Sequence, residues 1–174
     1  SAVLLTIGSW WGKPMGIAGE NHPNVIDGVG FLRRINAGER PVLPDKVLVV
    51  GGGDVAMDAC RAALRMPGVK EVKVIYRRGP KEIPARKEEL KQAVEENIEI
   101  IYNTQPVSVV SDSGRFALRC VETRMGAPGT DGRRKPEEVP GSERDVDCGM
   151  VIMAVGQKAE SDELASLGLM AGDR

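Results

Sequence analysis

The sequence predicts an α/β protein, a parallel β-sheet with flanking helices joined to an antiparallel β-meander. The short β-branched run Lys46-Val-Leu-Val-Val50 leads directly into Gly51-Gly52-Gly53 and then into good helix formers. Strand-like and helix-like stretches alternate in regular order from residue 46 to residue 102. From residue 107 the pattern changes to short runs separated by a turn sequence, as antiparallel strands require.

Element by element, residues 3–8 read as a strand, and residues 9–24 as a loop punctuated by Gly and Pro. Residues 25–36 carry Ile26, Val29 and Leu32 at helical spacing with Arg33 and Arg34 outward, which predicts a short helix. A linker follows at 38–44. The run 46–50 is a strand, and 54–66 is a helix stopped by Pro67-Gly68. Residues 71–76 form a second strand, with Val72, Val74 and Tyr76 on one side and Ile75 on the other. A second helix is expected at 84–97, with Pro84 in its first turn and Leu90, Ala93 and Val94 as its buried stripe. Residues 98–102 give a third strand, and the βαβαβ order calls for parallel strands with right-handed crossovers. Residues 107–110 and 115–122, around Asp112-Ser113-Gly114, read as an antiparallel pair. The polar stretch 124–142 reads as an exposed, mobile loop with Arg133-Arg134-Lys135 at a solvated tip. Residues 145–147 add a meander strand, 150–155 a buried parallel strand, and the remainder a helix fragment or tail.

Composition narrows the function classes. The 174 residues suffice for about one domain with a real core. Lys+Arg 24 against Asp+Glu 25 leaves no field to recruit nucleic acid or a membrane surface. An aromatic content of 3% also argues against a base-stacking surface. No apolar run approaches the roughly 20 residues of a membrane span, and the first residues lack a basic n-region, so no signal peptide is visible. Cys60, Cys120 and Cys148 are widely separated and form no Cys-x-x-Cys. They read as buried, inert thiols in a reducing compartment, the cytoplasm, with no metal site. The single histidine, His22, falls in a turn-like stretch and reads as a surface-loop residue. The start without methionine and the abrupt end read as a segment of a longer protein.

Gly51 and Gly53 hold the first two positions of Gly-x-Gly-x-x-Gly/Ala, and Ala56 holds the third. Between a strand and a helix this is the dinucleotide-binding fingerprint of a Rossmann-like unit. Gly51 permits the tight turn, Gly53 admits a pyrophosphate without a Cβ in the way, and Ala56 keeps helix and strand close. The free N–H groups and the positive end of the helix face the phosphates. Gly52, Asp54 and Val55 complete the turn.

The end of the second strand chooses the nucleotide. A carboxylate there accepts from the adenine ribose hydroxyls and repels a 2′-phosphate, whereas an arginine welcomes it. Here the strand ends Tyr76-Arg77-Arg78-Gly79, with Arg86 and Lys87 following. One charge-assisted hydrogen bond, worth about 1.5–3 kcal/mol, favours NADP(H) about tenfold or more. Arg77 and Arg78 can also be ordinary surface charges flanking a turn. Asp54 and Asp58 read as a helix cap and an ion-pair partner of Arg61 rather than as acid–base groups. With no catalytic triad, metal cluster or paired carboxylates in the sequence, no catalytic residue is assigned, and any chemistry is the cofactor's.

The quoted motifs Val49-Val-Gly-Gly-Gly-Asp-Val-Ala-Met-Asp58, Tyr76-Arg-Arg78, Ile83-Pro-Ala-Arg-Lys-Glu-Glu-Leu90 and Val151-Ile-Met-Ala-Val-Gly-Gln157 resemble the NADPH-binding region of the glutamate synthase small-subunit family. That family includes the flavin half of dihydropyrimidine dehydrogenase. Residues 1–14 and Ile17-Ala-Gly-Glu20 resemble the family's crossover out of its flavin domain, with Ala18 in place of proline. The resemblance implies that NADPH reduces FAD and that FAD passes electrons to iron–sulfur clusters. It implies that Arg77 and Arg78 clamp the 2′-phosphate, with Arg86 slightly displaced from a third arginine position that Pro84 occupies. It also implies that Ala154, Val155 and Gly156 lie by the nicotinamide half and that Gln157 turns back towards the flavin.

The expected plan is therefore a crossover and linker helix at 1–44, an NADP(H)-binding unit at 45–157, and a return segment at 158–174. The FAD fingerprint and the cysteine clusters of the family are missing from this sequence, so the isolated chain is expected to hold NADPH without FAD or iron–sulfur clusters and to be inactive. Its expected partners are the flavin domain of the same polypeptide and a larger catalytic subunit. Trp10 and Trp11 are candidates for that contact surface or for plain loop packing. An NADP(H)-binding regulatory module and a small flavin-free dehydrogenase are the alternatives, the latter without a convincing general acid.

Overall fold

The chain builds a parallel sheet whose two faces are covered by different kinds of structure. The computed structural model describes residues 8–128, 134–158 and 168. Its first elements are Trp11–Gly12 (β1), Val25–Asp27 (β2), Gly28–Asn36 (α1), Lys46–Val50 (β3), Asp54–Leu64 (α2), Glu71–Ile75 (β4) and Lys87–Glu95 (α3). Glu99–Ile101 (β5), Thr104–Asp112 (β6), Arg115–Pro128 (β7), Arg134–Glu138 (β8), Arg144–Asp147 (β9), Met150–Met153 (β10) and Gln157–Lys158 (β11) follow. Apart from Gly8 and Gly168, the strand expected at 3–8 and the tail after 158 lie outside the described residues.

Five strands form the parallel sheet in the order β2-β10-β3-β4-β5. Side chains alternate across it. Val47, Val49, Val72, Val74 and Ile152 face a core built with Phe31 of α1, Ala56, Met57, Ala59 and Cys60 of α2, and Ala93 of α3. Leu48, Val50, Ile75, Val151 and Met153 face a second core with Leu118, Cys120 and Val146 of the meander. Because both faces are covered, β3 reads as an almost unbroken apolar run. Fully burying one such valine is worth about 1.5–3 kcal/mol. The alanines of α2 have little bulk, which lets the helix lie close to the sheet.

β6, β7 and β8 form the meander, and β9 pairs with the other side of β7. The β6–β7 turn is Ser113-Gly114, with φ of 48° and 83°. Positive φ at both central residues is what a two-residue hairpin with native twist needs.

Several expectations change. Residues 11–12, expected within a loop, form β1 and pair with β11. Residues 25–27 are a strand and not the first turn of a helix, because Val25 and Ile26 pair in register with Val151 and Ile152. Asp27 then caps α1, accepting from the Gly30 N–H at 2.7 Å. The second expected helix is shorter at both ends, since Arg86 at its N-cap is extended (φ −60°, ψ 142°), which leaves Pro84 in the preceding loop. Val94 is 57% exposed and not part of the buried stripe. Finally, the expected loop at 124–142 is largely β-structure. β7 runs on to Pro128 and β8 returns beside it, with Thr123 opposite Glu138 and Arg124 paired with Glu137 at 3.4 Å. A solvent-exposed hairpin is polar on both faces, which gives it a loop-like composition. Of the expected solvated tip, Arg133 lies outside the described residues.

Candidate functional site

The strand order turns around at β3, which has β4 on one side and β10 on the other. Crevices outside the carboxyl ends of parallel strands at such a switch point are where ligands bind in open α/β sheets. A cavity of about 550 Å³ lies there, lined by Gly51 to Val55, by Ile75 to Arg78 with Pro84, and by Met153 to Gln157.

The three glycines serve different ends. Gly51 has φ +143°, and a Cβ on it would lie 2.2 Å from the Ala154 carbonyl oxygen. Its N–H donates to Ile75 O (3.0 Å), while the Ala154 N–H donates to Val50 O (2.7 Å). A Cβ on Gly52 would strike the Tyr76 ring at 2.4 Å. Gly53 differs, because a Cβ there meets no atom of the described residues within 4 Å apart from its chain neighbours. Its backbone is extended (φ −91°, ψ 178°) and acceptable to any residue. It is the N-cap of α2, and no side chain caps that helix. The first N–H groups of α2 belong to Asp54 and Val55, which line the cavity. Open space at Gly53, over an uncapped helix start, leaves room for an anion.

The segment after β4 carries the cations. Among the described residues neither Arg77 nor Arg78 has a carboxylate partner. Arg77 is exposed and Arg78 half-buried. The Arg78 Nε is buried and without a hydrogen-bond acceptor. A buried donor left so costs about 1–3 kcal/mol, and a phosphate oxygen would satisfy it. Beside them the Tyr76 hydroxyl donates to Glu82 O at 2.7 Å. Burial pushes the Tyr76 phenol above its ordinary pKa, although Arg78 and Arg77 pull the other way, so it stays a neutral donor.

The third wall includes residues that the sequence did not single out. Lys13, Pro14, Met15, Val29 and Pro106 join Ala154, Val155, Gly156 and Gln157. The Lys13 N–H donates to Gly156 O at 2.9 Å, continuing an antiparallel ladder in which Trp11 pairs with Lys158 and Gly12 with Gln157. Arg33 lies over the Trp11 ring at 5.7 Å.

Ala56 and Arg86 are not among the lining residues. Ala56 is fully buried in the core under α2. The Arg86 guanidinium goes to Asp54 (Nε, 3.0 Å) and to Glu89 (Nη2, 3.3 Å). Asp54 therefore caps across, accepting from the Arg86 N–H at 2.9 Å rather than from its own helix. Asp58 does not take the expected partner, because Arg61 bridges Glu89 (3.2 Å) and Glu96 (2.9 Å). Burial, with Glu89 and Asp54 nearby, holds the Asp58 carboxyl above the usual range. His22 is half-buried away from the cavity, its ring 4.8 Å from Phe116. The three cysteines are buried, and burial pushes each thiol up to about 12. No helix among the described residues is long and apolar enough to cross a membrane.

Comparison with known proteins gives a consistent set. Residues 1–174 match the family described as pyridine nucleotide-disulphide oxidoreductase. The chain is 40% identical over 163 residues to the beta subunit of an NADP(+)-dependent formate dehydrogenase from Moorella thermoacetica, covering 91% of this chain and 23% of that protein. It is also 40% identical over 161 residues to the beta subunit of an NADPH-Fe(3+) oxidoreductase from Geobacter sulfurreducens, covering 90% and 24%. Against the NADPH glutamate synthase small chain of Escherichia coli K12 the figures are 35% over 175 residues, 93% and 37%. The chain thus spans about a quarter of the length of the first two relatives. Among solved structures, Mycobacterium tuberculosis FprA in complex with NADPH aligns with a TM-score of 0.76 at 18% identity, covering 87% of this chain and 49% of that one. Thioredoxin reductase from T. acidophilum aligns with a TM-score of 0.64 at 17% identity, covering 91% and 45%. At these identities the likeness is one of fold.

Proposed function

This chain belongs to the pyridine nucleotide-disulphide oxidoreductase family, and from that premise we propose that it is the NADPH-binding domain of a larger flavin-dependent oxidoreductase. One observation carries the proposal: the open glycine turn, two arginines without carboxylate partners among the described residues, and the segment after β10 line a single cavity. Its volume, about 550 Å³, lies in the range of cofactor sites.

Gly53 and the N–H groups of Asp54 and Val55 would receive the pyrophosphate, and Arg77 with Arg78 would take the 2′-phosphate. Ala154 to Gln157 would line the nicotinamide half. Bound NADPH supplies a hydride, and on this proposal the acceptor is FAD held outside the 45–157 unit, with iron–sulfur clusters further on. The chain's part is to bind and orient.

Support for an inserted domain comes from the ladder of β1 and β11, which sets the incoming and outgoing strands side by side. A larger catalytic subunit is the proposed partner, because the relatives are themselves named as beta subunits and a small chain. The buried thiols suit a reducing compartment, and we assign the protein to the cytoplasm.

The test is a calorimetric titration of the chain with NADPH and with NADH, at moderate and at high salt. A preference for NADPH that weakens with salt is the expected result. Arg77→Glu should weaken NADPH binding at least about tenfold more than NADH binding. Equal losses for the two nucleotides would sink the clamp.

A further inference from the structure

Among the described residues only two buried residues are polar, Thr104 at 1% and Thr123 at 6% exposure. Both lie where the meander meets the arginine loop. The Thr104 N–H donates to Tyr76 O at 3.1 Å. Thr123 stands on β7, 46 residues from Arg77 in sequence, and its hydroxyl donates to Arg77 O at 2.8 Å. Its N–H donates to Asn103 O at 2.8 Å, and the Asn103 N–H donates to Arg78 O at 3.0 Å. Asn103 holds a left-handed backbone, φ 49°, to do so. One residue of the meander thereby fastens the carbonyls of both arginines, directly at Arg77 and through Asn103 at Arg78.

Packing alone does not ask for that hydroxyl. Valine has the same β-branched shape and would suit a buried strand position. A buried hydroxyl must find a partner merely to break even.

We infer that Thr123 is a positioning residue, whose hydroxyl holds the Arg77–Arg78 backbone so that both guanidinium groups meet one phosphate, and that the meander thereby sets the preference for a 2′-phosphorylated dinucleotide. The inference rests on the assignment of Arg77 and Arg78 as the clamp. A loop already fixed loses less freedom when it grips a ligand. Only the phosphorylated nucleotide benefits, because the glycine turn, which serves both nucleotides, is held by its own neighbours.

The experiment compares Thr123→Val, Thr123→Ser and Arg77→Gln in the full chain, by titration with NADPH and NADH and by thermal unfolding. Thr123→Val removes the hydroxyl and keeps both the shape and the N–H bond to Asn103. It should weaken NADPH about three- to tenfold, the worth of one hydrogen bond, while NADH binding stays within about twofold. Thr123→Ser should restore NADPH to within about twofold of the native chain. Equal losses of both nucleotides, or a lowered melting temperature with an intact NADPH preference, would mean a structural role only and overturn the inference. If Thr123→Val has no effect while Arg77→Gln abolishes the preference, the inference fails and the clamp stands. If Arg77→Gln leaves the preference intact, the clamp fails and Thr123 falls with it.

Discussion

The glycine wall and the arginine wall of the cavity are held in different ways. The glycine turn is fixed by residues that touch it at once: Gly51 by the Ala154 carbonyl, Gly52 by the Tyr76 ring, and the helix start by contiguous chain. The arginine loop is fixed by residues distant in sequence, Asn103 in the link between β5 and β6 and Thr123 on the meander. A turn with built-in geometry can serve any dinucleotide. A loop that borrows its geometry from a separate sheet can be retuned without touching the turn. On the proposed reading, general binding and the choice of nucleotide rest on parts held by different contacts, with Tyr76 the residue they share.

The largest expected effect lies within the turn itself. Gly51→Ala would force a Cβ against the Ala154 carbonyl oxygen, 2.2 Å away, at a backbone angle that L side chains rarely adopt. Backbone strain and overpacking together should lower stability by about 3 kcal/mol, read from denaturant unfolding. Gly53→Ala should behave quite differently. Its Cβ meets nothing among the described residues beyond its chain neighbours, and alanine at an N-cap costs about 1 kcal/mol or less relative to glycine. On the proposed reading the methyl group would project where the pyrophosphate approaches, so NADPH and NADH binding should both fall about tenfold or more. Stability lost at Gly53 with binding kept would reverse the roles of the two glycines and break the comparison.

That division also explains what the sequence made legible. The glycine turn, β3, β4 and α2 were readable because their signals are contiguous: a β-branched run, three glycines, then helix formers. Arg77 and Arg78 were readable because a strand end has a defined place in such a unit. β2 was missed because three residues at a helix-compatible spacing carry no strand period, and only the Asp27 cap marked the change. The β7–β8 hairpin was missed because its exposed faces are polar throughout. Lys13, Pro14 and Met15 line the cavity beside a ladder in which Trp11 pairs with Lys158, and no local signal encodes a pairing across that separation. Thr123 is hidden for the same reason. Its partner Arg77 lies 46 residues away.

Arg86 sharpens the comparison at its small end. Sequence grouped it with Arg77 and Arg78, but its surroundings are those of the turn. Its N–H and Nε both go to Asp54, its Nη2 goes to Glu89, and its side chain is 65% exposed. A guanidinium already shared between two carboxylates has little positive potential left to offer a phosphate, and a pair so exposed is worth about 1 kcal/mol or less. Asp54 keeps the N–H bond to residue 86 whatever side chain stands there. Arg86→Gln should therefore leave the ratio of NADPH to NADH affinity within about twofold of the native chain and stability within about 1 kcal/mol, measured by the same titrations and by unfolding. A loss of NADPH preference as large as that at Arg77 would mean that Arg86 leaves Asp54 for the phosphate when the nucleotide binds. The arginine wall would then extend to the start of α3, and the turn and the clamp would share a residue.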